Sequence, residues 1–196
     1  MNYPQINFIK ELREITGASL ADIKEAVEQS GYDKNKALQI LKRKGLIIAQ
    51  KKSTRETKEG IIEAYIHTNR RIGVLVELRC ESDFVAKNSE FLRLARELAL
   101  QIAATKPRYL QPEDIPKEVK IEERKIFEEE LEGTNKAVKI KNEIIEGRLQ
   151  KRWSEICLLK QPYIRNEDIT VEELITEFIA KLSEKIEIGQ FVRFEL

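Results

Sequence analysis

The chain has 196 residues, of which 41% are hydrophobic and 35% charged, with eight glycines and five prolines; this is the composition of a helix-rich globular protein with enough apolar side chains for a core, and it excludes a disordered one. A formal net charge of +1 excludes any bulk electrostatic pull toward nucleic acid or an anionic membrane, and no apolar run approaches the roughly 20 residues that a membrane span requires. The opening MNYPQINFIKELRE carries acidic and polar residues where a secretory signal needs an apolar stretch, and Cys80 and Cys157 form no CxxC, so the expectation is a cytoplasmic protein with free thiols, either of which is also able to crosslink two copies.

Three short apolar stripes come first. Phe8, Leu12 and Ile15 predict a helix stopped at Thr16-Gly17. Ser19 is placed to cap a second, with Asp22 three residues on and Leu20, Ile23 and Val27 along one face. Ser30-Gly31 stops it; Asp33 caps a third, which carries Ala37, Leu38 and Leu41 and ends at Gly45. Residues 1–45 are therefore expected to form a three-helix domain, near the lower size limit of independent stability. Residues 46–59 read as a basic linker: between Lys42 and Lys58 there are seven basic residues against one acidic, Glu56. That strip is either a solvated connection or a phosphate-binding surface, and it lacks the aromatics of a base-stacking platform.

At residue 60 the periodicity changes to two. Ile62, Ala64 and Ile66 alternate with Glu63, Tyr65 and His67, and Ile72, Val74, Val76, Leu78 and Cys80 alternate with Gly73, Glu77 and Arg79. The polar run 67–71 between them predicts an antiparallel hairpin with one buried face. Phe91, Leu94, Ala95, Leu98 and Ile102 form an amphipathic helix that starts near Asn88, ends at Lys106-Pro107 and covers that face. The charged segments KIFEEELEG and KIKNEIIEGRLQKRW have narrower apolar stripes and predict a projecting helical hairpin. After the loop KQPYIRNED, Thr170 and Glu173 form a capping box before the stripe Val171, Leu174, Ile175, Phe178, Ile179, Leu182, and the chain returns to strand character through Val192, Phe194 and Leu196. The fold class is α+β: a three-helix domain, then a core over 60–196 with a small antiparallel sheet covered by helices.

No reaction chemistry emerges. His67 is the single histidine and has no nucleophile placed beside it by any motif; Cys80 falls on the buried strand face; no metal-ligand spacing and no glycine-rich phosphate loop occurs. No cofactor and no metal are expected, and a protein-binding module is the leading class, with a nucleic-acid adaptor using the 42–58 strip as the alternative. One stretch stands out, RCESDFVAKN at 79–88. It has the polar residues of a turn, yet carries Phe84 and Val85 in its middle. Either the ring tucks back into the core, or the turn holds it outward to enter something else.

Three stretches, in this order, carry a family resemblance. KELREITGASLADIKEAVEQSGYDKNKALQILKRKG is similar to the ubiquitin-associated-like three-helix domain of the bacterial translation elongation factor Ts family, VELRCESDFVAKN resembles its signature around a T-D-F-V core, and LLKQPYIRNEDITVEELI followed by FVRFEL resembles its C-terminal signature. The resemblance implies a guanine-nucleotide exchange factor, not an enzyme, that binds elongation factor Tu with GDP and promotes release of the nucleotide. A non-exchanging partner of the same GTPase is the other reading. It also implies that Asp83 and Phe84, flanked by Ser82 and Val85, are the exchange-active group and that Lys24 contacts the partner's nucleotide-binding domain. The length matches the short family form, in which two copies associate as a homodimer through their sheets. Departures from the family pattern are Ser82, where Thr is usual, which keeps the hydroxyl, and the loop IAKLSEKIEI, where the family commonly reads I-A-K-I-G-E-N-I and where notably Ser183 replaces a glycine and Lys185 an asparagine. If that loop meets the partner through bare backbone, a side chain there weakens the contact; Leu182 and Ser183 are accordingly a further candidate contact.

Overall fold

The computed structural model describes residues 3–134 and 137–196. Three helices open the chain: α1 (Tyr3–Thr16), α2 (Leu20–Ser30) and α3 (Lys34–Lys52). The predicted caps form. The Ser19 hydroxyl oxygen accepts the Asp22 amide at 3.1 Å, Asp33 accepts the Lys36 amide at 3.0 Å, and Gly31 closes α2 in the left-handed region. Ile9, Leu12, Ile23, Ala26, Val27, Ala37 and Leu41 make the small core. Ile15 and Leu20, expected on the inner stripes, are exposed; Ile9 and Ala26 take the inward positions instead.

The third helix does not end at Gly45. It runs to Lys52, so much of the expected linker is helical. Gly45 is buried because α3 crosses α8 (Val171–Leu182) there: a Cβ on Gly45 would lie 3.4 Å from the Ala180 Cβ. At Gly17 an added Cβ would strike the aliphatic chain of Lys181, with the nearest carbon at 2.5 Å. Both glycines are where the three-helix module meets the rest of the protein.

The sheet consists of β1 (Glu59–Ile66), β2 (Ile72–Cys80) and β5 (Ile186–Glu195), all antiparallel, with β2 in the centre. Helices α5 (Ser89–Thr105) and α8 cover one face. Val74, Val76, Leu78 and Cys80 are buried against Phe91, Leu94, Leu98 and Ile102, as the pattern predicts. On β1 the outcome is the reverse of a simple hydrophobicity reading. Ile61, Glu63 and Tyr65 face the helices, because pairing with β2 sets them opposite the buried Leu78, Val76 and Val74; the Arg96 guanidinium accommodates them, bonding Glu63 at 3.1 Å and lying 4.9 Å from the centre of the Tyr65 ring. Ile62, Ala64 and Ile66 face outward, Ala64 in register with Leu75 and Val192, and Ile66 with Gly73 and Phe194. Ile62 is 71% exposed and Phe194 68%. The outer face of the sheet is a broad apolar surface.

Helices α6 (Lys117–Leu131) and α7 (Val138–Ile156) form the expected hairpin. It has its own core of Leu131, Ile145 and Leu149 with Phe127 and Trp153, and cross-hairpin ion pairs Arg124–Glu146, Arg148–Glu130 and Arg152–Glu123. The predicted loop after Cys157 contains a small antiparallel ribbon, β3 (Pro162–Tyr163) with β4 (Asn166–Thr170). It is tied to α5 by the buried Gln101, which accepts from the Ile164 amide at 2.9 Å and donates to the Pro162 carbonyl at 3.1 Å. The capping box at Thr170 and Glu173 is complete, at 3.2 and 3.0 Å. Helix α8 then ends on Ser183, whose φ of +54° is left-handed and whose amide donates to Ile179 at 2.9 Å.

Two stability outcomes follow. Gly45→Ala adds helix propensity and a Cβ at ordinary contact distance, so the urea midpoint rises by the equivalent of about 0.5–1 kcal/mol; Gly45→Leu overfills the α3–α8 crossing and loses roughly 1–3 kcal/mol. Ser183→Gly removes a left-handed penalty that only glycine avoids, and denaturation measurements are expected to show a gain of about 0.5–1 kcal/mol.

Candidate partner-binding site

Strand β2 delivers the chain to the site. Its last residue, Cys80, is buried and donates from its thiol to the Ser82 carbonyl at 3.2 Å; burial first, and the nearby Glu184 carboxylate next, push the thiol up to about 11, so it stays protonated and unreactive. Cys157 is likewise buried and pushed up to about 11, by burial and then by Asp114. Both cysteines are free.

The stretch that the resemblance singles out contains a single helical turn, α4 (Asp83–Ala86). Ser82 is its N-cap, in extended conformation, with its hydroxyl oxygen facing the Val85 amide at 3.4 Å. The turn has an inner and an outer side. Ala86 is buried and Val85 half-buried against the main core, while Phe84 and Asp83 point to solvent. Phe84 is 83% exposed. The ring does not fold back into the core. Asp83 pairs with Lys87 at 2.8 Å, and this hydrogen bond and charge hold its carboxyl below the usual range, so it is ionised at neutral pH.

The turn leans on the loop between α8 and β5. Glu184 accepts the amides of Glu81 at 3.1 Å and Ser82 at 3.0 Å with one carboxylate oxygen, and the Ser82 hydroxyl at 2.6 Å with the other. Glu81 in return accepts the Lys185 amide at 2.6 Å and the Arg55 guanidinium at 2.9 Å. Lys52, at the end of α3, donates to the Ser183 carbonyl at 2.6 Å. The Lys185 ammonium bonds the Arg55 carbonyl at 3.1 Å and pairs with Glu187 at 2.8 Å. The departures from the family pattern at Ser183 and Lys185 thus lie in an intramolecular network. Leu182 is half-buried against the core, and Ser183 is exposed.

Lys24 lies exposed on α2, without an ion pair among the described residues and with no hydrogen bond to the 82–85 turn. The basic strip is largely committed elsewhere. Lys42 pairs with Glu173 at 2.8 Å, Lys44 with Asp22 and Glu25, Arg55 with Glu81, and Lys58 with Glu56. Among the described residues no group of three or more His, Cys, Asp or Glu side chains is arranged to hold a metal ion, and no helix is long and apolar enough to cross a membrane. The sequence reading missed Glu81, Glu184, Lys52 and Arg55, since acidic and basic residues at surface spacing carry no signal of a partner about a hundred residues away.

The arrangement is therefore an aromatic ring and a carboxylate displayed side by side on a braced turn. Comparison with known proteins shows the family. The family model described as "Elongation factor TS" matches residues 7–196. The curated protein named "Elongation factor Ts" from Carboxydothermus hydrogenoformans is 52% identical, over 96% of this chain and 87% of its own length. That of Thermodesulfovibrio yellowstonii is 50% identical over 96% and 94%, and that of Heliobacterium modesticaldum 46% over 96% and 87%. With a match that spans nearly all of its residues, including every element of the displayed turn and its brace, this chain belongs to the elongation factor Ts family.

Proposed function

We propose that this member of the family of guanine-nucleotide exchange factors for elongation factor Tu releases GDP by using Phe84 as a wedge. The observation that carries the reading is the 83% exposure of a phenylalanine on an ordered, capped turn, where burial would be its ordinary fate. A GTPase holds GDP through backbone amides of its phosphate loop, a lysine and Mg²⁺. A ring that enters the packing beside that loop has only to displace it slightly to spoil all three.

The coupling is reciprocal: the factor by which exchange-factor binding weakens GDP is the factor by which GDP weakens exchange-factor binding. Each tenfold loss of nucleotide affinity requires about 1.4 kcal/mol, and burying one phenylalanine contributes roughly 1.5–3 kcal/mol. Phe84 can thus account for about one to two powers of ten, and the rest of the interface supplies the remainder. Asp83, ionised and half-exposed, is placed to accept hydrogen bonds from partner amides beside the ring, and Lys24 supplies a second point of attachment from the three-helix module. On this reading residues 1–45, with the continuation of α3, are a docking module and 60–196 the exchange core; the protein works in the cytoplasm and has no bond-making activity of its own.

The outer sheet face, with Ile62, Ile66, Leu75, Val192 and Phe194 in adjacent rows, is the surface for a second copy of the chain. A nucleic-acid role is disfavoured because most of the 42–58 strip is already neutralised by ion pairs within the chain.

Phe84→Ala is expected to slow GDP release from elongation factor Tu by roughly tenfold or more while leaving the melting curve unchanged, since no core contact is lost; a stopped-flow trace with fluorescent GDP reads this directly, and unchanged release overturns the wedge. A partner that binds without exchanging would give no acceleration even with the native chain. For the sheet face, Ile62→Lys with Phe194→Lys is expected to halve the solution mass measured by sedimentation, and a native chain that sediments as a monomer overturns the dimer.

A further inference from the structure

A one-turn helix cannot hold itself. Its nucleus costs more conformational entropy than a single turn of hydrogen bonds returns, and residues 81 and 82 lie beyond the last paired residue of the central strand, where Cys80 faces Ile186. Their amides have no strand partner, and what meets them is the Glu184 carboxylate. It takes three donors: two main-chain amides through one oxygen and the Ser82 hydroxyl through the other. With its proton committed to Glu184, that hydroxyl turns its lone pairs toward the Val85 amide, inside the turn that carries Phe84. The reverse crossing, from the Glu81 carboxylate to the Lys185 amide, locks the two loops together from the other side. Lys52 and Arg55, from the end of α3 and just beyond it, close the cluster over both loops. Hydrogen bonds thus tie the segments 52–55, 81–85 and 183–185 to one another.

We propose that Glu184 is a positioning residue for exchange: by holding the two amides and the hydroxyl ahead of the Phe84 turn, it keeps the ring from yielding when it meets the partner. This rests on the wedge reading of Phe84. A wedge displaces what it enters only if its mount is stiffer than its target; on a loose turn the ring would swing aside, and contact would be made without displacement. Because Glu184 touches neither nucleotide nor partner on this account, its effect on nucleotide displacement passes through Phe84, while any effect through Asp83 on the same turn falls on attachment and so on the half-saturating concentration.

The test is a cycle of Glu184→Ala, Phe84→Ala and the double variant, with GDP release from elongation factor Tu followed over a range of exchange-factor concentrations. Glu184→Ala is expected to lower the maximal release rate roughly tenfold, through loss of charge-assisted hydrogen bonds, with the half-saturating concentration changed less than about twofold because the broad interface is intact. Glu184→Gln, which keeps one acceptor oxygen for the two amides, is expected to recover most of the rate. The double variant is expected to have no lower a maximal release rate than Phe84→Ala alone. In the free protein, amide hydrogen exchange at Glu81 and Ser82 is expected to speed up roughly tenfold in Glu184→Ala and to return toward the native value in Glu184→Gln. If Glu184→Ala slows release as much in the Phe84→Ala background as in the native one, or if exchange at those two amides is unchanged, the positioning role is overturned while the wedge stands. If Phe84→Ala itself leaves release unchanged, the wedge reading fails and takes this inference with it. Should Glu184→Ala not fold, the same cycle run with Glu184→Gln decides: additive loss overturns the proposal, and loss only where Phe84 is present supports it.

Discussion

The structure depends on one seam, the inner face of the central strand β2 against helix α5. Val74, Val76, Leu78 and Cys80 alternate down the strand, and Phe91, Leu94, Leu98 and Ile102 repeat along the helix; all are essentially removed from water. At roughly 25 cal/mol for each square ångström of apolar surface, this burial is the main force holding sheet and helix together. It also fixes what must remain outside. With α5 and α8 on one side of a three-stranded sheet, the opposite side has no cover among the described residues, and the chain that leaves β2 to enter α5 has only eight residues, 81–88, in which to turn back. Phe84 stands in that turn. Val85 and Ala86 take the inward positions next to the seam, and the helical spacing then leaves 83 and 84 outside.

Strand pairing and polar groups decide where the apolar pattern is ambiguous. On β1 the register with β2 turns the side with three aliphatic residues to water and the side with Glu63 and Tyr65 to the helix, where Arg96 satisfies both, one by an ion pair and the other by lying against the ring. The same trade appears at Gln101, fully buried on the helix's inner side but bonded to the ribbon that follows Cys157. A buried polar group that finds all its partners specifies one arrangement more sharply than another aliphatic contact would.

Around the turn this polar specification connects distant parts of the chain. Helix α3 belongs to the small core of the three-helix module over its first half and to the packing against α8 over its second, so the module is mounted on the rest of the protein by a continuous helix and two close glycine contacts. Its last turn brings Lys52 to the loop that braces residues 81 and 82. The projecting hairpin, by contrast, carries its own small core and ion pairs along its length, and joins the body at its base through Ile115, Ile156 and Cys157.

The sequence alone determined most of the local structure, because caps and periodicity act over a few residues. Ser19, Asp33, Asn88 and Thr170 begin helices where expected, β2 buries the predicted face, α5 carries the predicted stripe, and the alternation at 60–80 marks the hairpin. The residues of the turn by themselves favour an inward ring, and the resemblance of VELRCESDFVAKN turns the expectation for Asp83 and Phe84 outward. Tertiary structure decided the rest. Gly45 has the form of a helix stop, and it continues as helix because α8 packs against it at close range. Ile62 and Ile66 have the form of core residues, and they lie outside because their register with β2 places them on the face away from the helices, opposite Glu77 and Gly73. Glu184 looks like any surface acid, and it caps Ser82 from 102 positions away, since a hydrogen bond across the fold leaves no period or spacing in the chain that makes it.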